Sequence, residues 1–427
     1  MLHRIFLFVV STFLVAVAHA QTQAHNIDSI LRSHIYKLTA HNMMGRGYVG
    51  SGQKKAAIYI HNHFTQLGLS STPGITDMQQ SYSFPVNTFP GKMNVSINGK
   101  ELSPGQEYLV DAASASYNSR KTIAIKDLAA ITTTQQWKYA KATLSDTCIW
   151  LLLHTDSMCR STGIPSHQLP SLLPSGCYII PQKSKLMWTV ADHTNAATVI
   201  YIPDSSLPHL PAIASVNIKA TLKEKFVATN IVACVPGTLP DSFIVFSAHY
   251  DHLGMMGSQA VFPGASDNAS GTAMLLYLAQ YYAAHPQRYT MVFIAFSGEE
   301  VGLLGSAHFV QNPPFPLGAI KMLCNLDIMG DATDGVTVVN ATMHPKEYEL
   351  LTSLNEKYNY LPVIKSRGKA ANSDQYYFSE AGVPAFFIYS NGGKGYYHDI
   401  YDKPEAVTLN NIPSIANLLI NFVADIQ

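Results

Sequence analysis

The C-terminal half of this chain alternates short, continuously apolar runs with segments of helical periodicity. Strands are expected at 231–235, 243–246, 291–296, 320–326 and 385–389, and helices at 270–284, 345–358 and 412–426. An apolar run without polar alternation is typical of a strand that is covered on both faces. The pattern therefore predicts an α/β fold with a mixed, mostly parallel sheet sandwiched by helices.

Residues 73–225 have a different character. Pro, Ser and Thr become frequent there, no convincing long helix is present, and short strands are expected at 93–97, 122–125, 149–153 and 198–202. These features predict an inserted β-rich domain. The segments on either side, 21–72 and 226–427, would then form one discontinuous domain, which begins with helical patterns over 26–70.

The N-terminus has the pattern of a signal peptide over residues 1–20. His3 and Arg4 precede an apolar run over 5–17 that is short for a membrane span, and small residues follow it. We expect cleavage after Ala20 and export to the periplasm or the exterior, with no membrane anchor left after cleavage. An uncleaved anchor helix is the alternative.

Charge and cysteine content narrow the function classes. The chain has 28 basic and 28 acidic residues, so no net field favours nucleic acid as a partner. Three of the five cysteines, Cys148, Cys159 and Cys177, cluster and could supply a disulfide, whereas Cys234 and Cys324 lie in apolar runs as expected of buried thiols. No Cys-x-x-Cys occurs, so a cysteine-based zinc site is not supported.

Five side chains of the kinds that bind metal ions follow or adjoin the apolar runs: His249, Asp267, Glu300, Asp327 and His398. Because active sites of open α/β sheets form outside the carboxyl ends of the strands, we expect these side chains to meet at one edge. Two histidines and three carboxylates, one of them shared, can close two zinc-like sites. Asp267 alone could instead be a helix N-cap.

Three neighbours of these ligands are candidates for catalytic roles. Glu299 lies beside a ligand and could carry a proton between water and a leaving amine. Asp251 could hold the second ring nitrogen of His249. Tyr397 could donate a hydrogen bond to a developing oxyanion, although a core tyrosine is the commoner interpretation.

These motifs, in this order, resemble those of the M28 family of zinc aminopeptidases. The resemblance includes 44–47 and the helical segment to 69, the strand motif at 229–233, and the five ligand motifs. It implies the zinc exopeptidase fold and two Zn²⁺ per chain, although other divalent ions fit the same ligands. Asp267 would bridge the ions, His249 and Asp327 would complete one site, and Glu300 and His398 the other.

The resemblance also implies a general base, Glu299, and a protease-associated type of domain at 73–225. Two motifs depart from the family pattern: Ser373-Asp374-Gln375 replaces Ser-Asp-His, and His398-Asp-Ile-Tyr-Asp402 replaces His-Thr-Pro-Asp-Asp. Both changes are expected to alter the substrate pocket.

The expected function is an exported metallo-exopeptidase, an aminopeptidase that acts on peptides through water held between two metals. Three alternatives remain: a single-zinc acyltransferase like the glutaminyl cyclases, a carboxypeptidase of the same family, and a non-catalytic binding protein on a peptidase scaffold. The sequence leaves the oligomeric state open.

Overall fold

The computed structural model describes residues 26–426. The predicted signal peptide lies outside this range, so the signal peptide stays a prediction. The helices are α1 (26–38), α2 (Gly52–Gln66), α3 (Thr134–Ala142), α4 (Thr155–Thr162), α5 (Leu169–Leu172), α6 (Gly271–Ala284), α7 (Leu304–Gln311), α8 (Pro345–Tyr358), α9 (Gln375–Glu380) and α10 (Ile412–Asp425).

The strands of the first half of the chain are β1 (Ser70–Ser71), β2 (Gln79–Thr88), β3 (Asn94–Ile97), β4 (Lys100–Glu101), β5 (Leu109–Val110), β6 (Tyr117–Asp127), β7 (Ile149–Leu153), β8 (Gly176–Gln182), β9 (Ala197–Pro203) and β10 (Ile213–Ile218). Those of the second half are β11 (Thr221–Val235), β12 (Leu239–His249), β13 (Gly254–Met256), β14 (Ala260–Phe262), β15 (Tyr289–Phe296), β16 (Ile320–Leu326), β17 (Val336–Val339), β18 (Ile364–Ser366) and β19 (Ala385–Ser390).

The larger sheet runs in the order β1-β11-β15-β12-β16-β19-β17-β18, and β2 also pairs with β11. Parallel pairings join its central strands β15, β12, β16 and β19, whereas β11 and β17 are antiparallel to their neighbours nearer the centre. The predicted α/β fold with a mixed sheet is confirmed. Each strand and helix expected from residue 227 onwards lies at its predicted place.

Strand β12 explains why this sheet carries helices on both faces. Its side chains alternate in direction. Ile244 and Phe246 are buried in a cluster with apolar residues of helices such as α6 and α10, while Phe243 and Val245 enter a second cluster with α7 and α9. The absence of polar alternation in the sequence thus reflects burial of both faces.

A second sheet occupies the middle of the chain, in the order β4-β3-β10-β6-β7-β8-β9-β5. It contains the strands expected there, but helices α3, α4 and α5 also occur in this region. Helix α3 begins with a reciprocal capping box, in which Thr133 and Gln136 each bond the backbone N–H of the other. No long helix was expected here, and the longest helix of the region, α3, has 9 residues.

Two features tie the middle region to the larger sheet. Strands β2 and β11 form a long antiparallel pair that leads into and out of the region. The hairpin β13–β14 packs its Met256 and Phe262 side chains into the same core as Val95 and Ile200 of the second sheet. The proposed division into 21–72 with 226–427 and an inserted 73–225 stays a prediction.

All five cysteines are free thiols in the described structure, so the cluster of Cys148, Cys159 and Cys177 forms no disulfide there. Among residues 26–426, no helix has the length and apolarity needed to cross a membrane.

The core beneath the larger sheet allows a test of the fold. Phe293 of β15 is fully buried, and its ring centre lies 6.3 Å from those of both Phe246 and Tyr282. We expect Phe293→Ala to lower the free energy of unfolding by about 3–5 kcal/mol, because it leaves a cavity. Urea unfolding should record this loss. Tyr139→Ala, at a side chain that is 68% exposed, is the control, and an equal effect of both changes would contradict the proposed packing.

Candidate metal centre

The structure brings all five predicted ligands together at the carboxyl ends of the central strands. His249 is the last residue of β12, and Asp327 directly follows β16. Glu300 lies just beyond β15, and His398 lies in the loop after β19. Asp267 lies in a π-helical turn, Ala265–Ser270, just before α6. The helix N-cap is a different residue, Ser270, so the structure does not favour an N-cap role for Asp267.

The Asp267 carboxylate lies between two histidine–carboxylate pairs. Its Oδ1 is 3.3 Å from His249 Nε2, which is also 3.2 Å from Asp327 Oδ1. Its Oδ2 is 3.2 Å from His398 Nε2, which is also 3.3 Å from Glu300 Oε2. Ligand bonds of about 2.0 Å in tetrahedral geometry place ligand atoms about 3.3 Å apart. These spacings would suit zinc ligands on both sides of Asp267, where His249 with Asp327 and His398 with Glu300 would hold the metal.

The charges at this centre are strongly coupled. Burial would lower the pKa of His398, but the carboxylates of Glu300 and Asp267 outweigh it and raise that pKa to about 11. The pKa of His249 is also raised well above its usual value, because the carboxylates of Asp327 and Glu299 outweigh the effect of burial. Metal binding at these two rings therefore competes with proton binding.

Glu299 lies beside the ligands but makes none of the four close contacts between histidine and carboxylate atoms described above. One of its carboxylate oxygens lies within 4.8 Å of ligand atoms of both His249 and Glu300. Burial, together with the neighbouring carboxylates of Glu300 and Asp327, raises its pKa well above the usual range. A raised pKa suits a group that accepts and releases a proton near neutrality.

Asp251 contacts the second ring nitrogen of His249 through its backbone and not through its side chain. His249 Nδ1 is 3.2 Å from the backbone carbonyl of Asp251 but 3.9 Å from its carboxylate. The carboxylate instead accepts a 2.5 Å hydrogen bond from the Tyr48 hydroxyl and longer ones from the backbone N–H groups of Glu299 and Glu300. The carbonyl therefore orients the His249 ring, and the carboxylate orients the segment with the two acids.

His252 is a site residue that the sequence analysis missed. It is fully buried, and its Nδ1 lies 2.6 Å from Glu300 Oε1, leaving Oε2 to face His398. Its position three residues after His249, in the same segment beyond a strand, was the available signal. A buried partner of this kind fixes the direction of a ligand carboxylate.

Two residues outside the ligand set, Ser373 and Asp402, hold the ligand segments through hydrogen bonds. Ser373 donates a 2.7 Å hydrogen bond to Asp327 Oδ2. The Asp402 carboxylate accepts hydrogen bonds from the backbone N–H groups of Ser266 and Asp267. Burial raises the pKa of Asp402 to about 6. Both residues lie in motifs that differ from the M28 pattern, and both still contact the ligand segments.

Arg46 anchors the segments that carry His249 and Asp267. Its guanidinium is fully buried and donates to the carbonyl oxygens of Tyr250 at 2.8 Å and of Pro263 and Gly264, each at 2.7 Å. No charge pattern in the sequence indicated this role, because the acceptors are backbone atoms.

Tyr397 lies at the rim of the cleft that opens onto the ligands. Its ring stacks on that of His398 with centres 3.9 Å apart, and the side chain is 42% exposed, which opposes a core role. The cleft has a volume of about 210 Å³ and is lined by His249, Asp267, Glu299, Asp327, Ile328, Arg367, Asn372, Phe387, Tyr389 and Tyr397. Its wall therefore combines three of the five predicted ligands, several aromatic side chains and the guanidinium of Arg367.

The contact of His252 with Glu300 predicts an effect on metal binding. We expect His252→Ala to weaken one of two zinc-binding steps by about 10–100-fold, because Glu300 loses the partner that directs it. Zinc titration against a chelating dye measures both steps. His209→Ala, at an exposed histidine, should leave both unchanged. Unaltered zinc affinity in the His252 variant would show that the contact does not support the ligand.

Comparison with known proteins identifies the segment that carries this centre. Residues 230–423 match the model of peptidase family M28. A probable zinc metalloprotease of Pyrenophora tritici-repentis is 39% identical over 114 residues, which cover 26% of this chain and 26% of that protein. Aminopeptidase YwaD of Bacillus subtilis is 30% identical over 217 residues, which cover 47% of this chain and 46% of that protein. The chain thus spans less than half the length of either relative.

Solved structures match over a much longer range. A zinc aminopeptidase from Bacillus subtilis superposes with a TM-score of 0.68 at 19% identity, over 93% of this chain and 94% of that one. A peptidase M28 precursor from Shewanella amazonensis gives 0.65 at 16% identity, over 95% of each chain. These likenesses confirm the fold, including the middle region. The resemblance to peptidase family M28 is confirmed as well, through the match of residues 230–423 to the model of that family.

Proposed function

We propose that this protein is an exported di-zinc exopeptidase that removes N-terminal residues from peptides. The observation that carries the proposal is the Asp267 carboxylate, whose two oxygens each lie beside a separate histidine–carboxylate pair. The similarity of residues 230–423 to peptidase family M28 supports the same reaction class.

Each residue of the site would have a separate role in the reaction. His249 and Asp327 would hold one zinc ion, His398 and Glu300 the other, and Asp267 both. Zinc bound there supplies Lewis-acid chemistry, which polarises the scissile carbonyl and makes water more acidic. Glu299 takes the proton from the attacking water and returns it to the leaving amine. The Tyr397 hydroxyl at the rim donates to the carbonyl oxygen as negative charge develops there.

The cleft also bears on the alternatives. Arg367 can bind a carboxylate, which is the chemistry that a carboxypeptidase needs for the C-terminus of its substrate. The single-zinc cyclase alternative requires one metal per chain, whereas the contacts form two ligand sets. The binding-protein alternative is disfavoured because the five ligand side chains lie close together and are all retained.

A matched substrate panel tests the proposed activity. The purified protein should hydrolyse peptides with a free N-terminal amine and leave N-acetylated peptides of the same sequence intact. Chelation should abolish the hydrolysis, and zinc should restore it. Cleavage of acetylated peptides from the C-terminal end would identify a carboxypeptidase instead. Cyclisation of N-terminal glutamine with one zinc per chain would identify the cyclase.

The role of Glu299 predicts a separation of catalysis from metal binding. We expect Glu299→Gln to lower kcat by about 10²–10⁴-fold, because proton transfer is lost while the ligands are unchanged. Elemental analysis should find the zinc content of the wild type. Glu356→Gln on the exposed face of α8 is the matched control. A Glu299 variant that retains full turnover would remove this residue from the mechanism.

A further inference from the structure

The loop that carries His398 is held by a segment of the middle region. The connection between β8 and β9 contains neither helix nor strand, and its residues 183–191 are here called the strap. The Trp188 backbone N–H donates to the carbonyl of His398 at 2.9 Å. The strap therefore contacts a predicted metal ligand directly through the backbone.

Lys185 of the strap adds a charged contact to the same loop. Its ammonium group pairs with the Asp399 carboxylate and donates a 3.0 Å hydrogen bond to the carbonyl of Gly395. The Asp399 side chain is 3% exposed, and the Tyr401 N–H donates to its Oδ1 at 2.7 Å. Lys185 thus joins both sides of His398, since Gly395 precedes that residue and Asp399 follows it.

The strap is itself fixed within the middle region. The Trp188 indole stacks on Phe262 with ring centres 4.8 Å apart, and its Nε1 donates to the carbonyl of Val110 at 2.8 Å. Ile400, two residues beyond His398, packs against the same core. The attachment is therefore rigid on the side opposite the metal ligands.

The His398 backbone needs such support. Its φ is 53°, in the left-handed region that non-glycine residues seldom adopt. The loop on its N-terminal side, 391–395, contains three glycines, which permit many other conformations. Contacts from another part of the chain are thus required to hold the ring at its distances from Asp267 and Glu300.

We propose that Lys185 is a positioning residue for the second metal site, and that the middle region thereby sets the affinity of that site. This inference rests on the proposed function only for the presence of metal at these ligands. The strap fixes the His398 loop, the loop fixes the imidazole, and the imidazole completes the ligand set with Glu300 and Asp267. The first site, with His249 and Asp327, has no contact with Lys185.

The test compares Lys185→Met with Lys183→Met in the full chain. Both remove an exposed lysine charge from the strap, but Lys183 makes no side-chain hydrogen bond or ion pair with residues 26–426. We expect the Lys185 variant to bind one of its two zinc ions about 10-fold more weakly, with the other unchanged. The Lys183 variant should match the wild type.

Hydrogen exchange on the zinc-free protein provides a readout that does not depend on metal. Amides of residues 391–402 should exchange faster in the Lys185 variant only, while the strands of both sheets keep their protection. Equal exchange and equal zinc affinity in both variants would overturn the inference. A wild-type protein that takes up no zinc would overturn the proposed function, and the exchange comparison would still decide the role of Lys185.

Discussion

The geometry of the metal centre depends on one buried guanidinium. Arg46 binds backbone carbonyls on both sides of the ligands, at Tyr250 after His249 and at Gly264 before Asp267. Burial lowers its pKa to about 10, and the nearby carboxylates of Asp267 and Asp402 oppose that shift. The charge therefore stays in place near neutral pH. A lysine could not replace it, because a single ammonium lacks the planar fork of donors.

Around Arg46, the metal centre must compensate the negative charge of many buried carboxylates. The carboxylates raise the pKa values of His249 and His398. The pKa of Glu300 is lowered to about 2, because His398 and His252 outweigh its burial and the nearby Asp267. Bound metal ions would compensate the carboxylate charge with more positive charge than the histidines carry, and in a fixed geometry. Asp251 and Asp402 complete the arrangement, because each carboxylate accepts hydrogen bonds from backbone N–H groups of a segment that carries a ligand.

The sequence could predict the features that have local patterns. The strand 243–246 and the ligand His249 beyond it follow from an apolar run and its polar end, and both lie as predicted. The role of Arg46 could not be predicted, because its acceptors in the ligand segments, at Tyr250 and Gly264, lie more than 200 residues away and are backbone atoms. Asp251 contacts the predicted ring nitrogen of His249, but through its backbone carbonyl, because residue spacing does not reveal whether a carbonyl or a carboxylate faces a ring. The contact of Trp188 with His398 joins two loops that no periodicity relates.

The origin of Arg46 in the N-terminal segment has a consequence for the order of folding. Contacts between residues so distant in sequence form slowly, since the entropy of closing a long loop must be overcome first. The arrangement of ligand segments that Arg46 holds therefore forms only once the N-terminal segment has packed against the segments that carry His249 and Asp267.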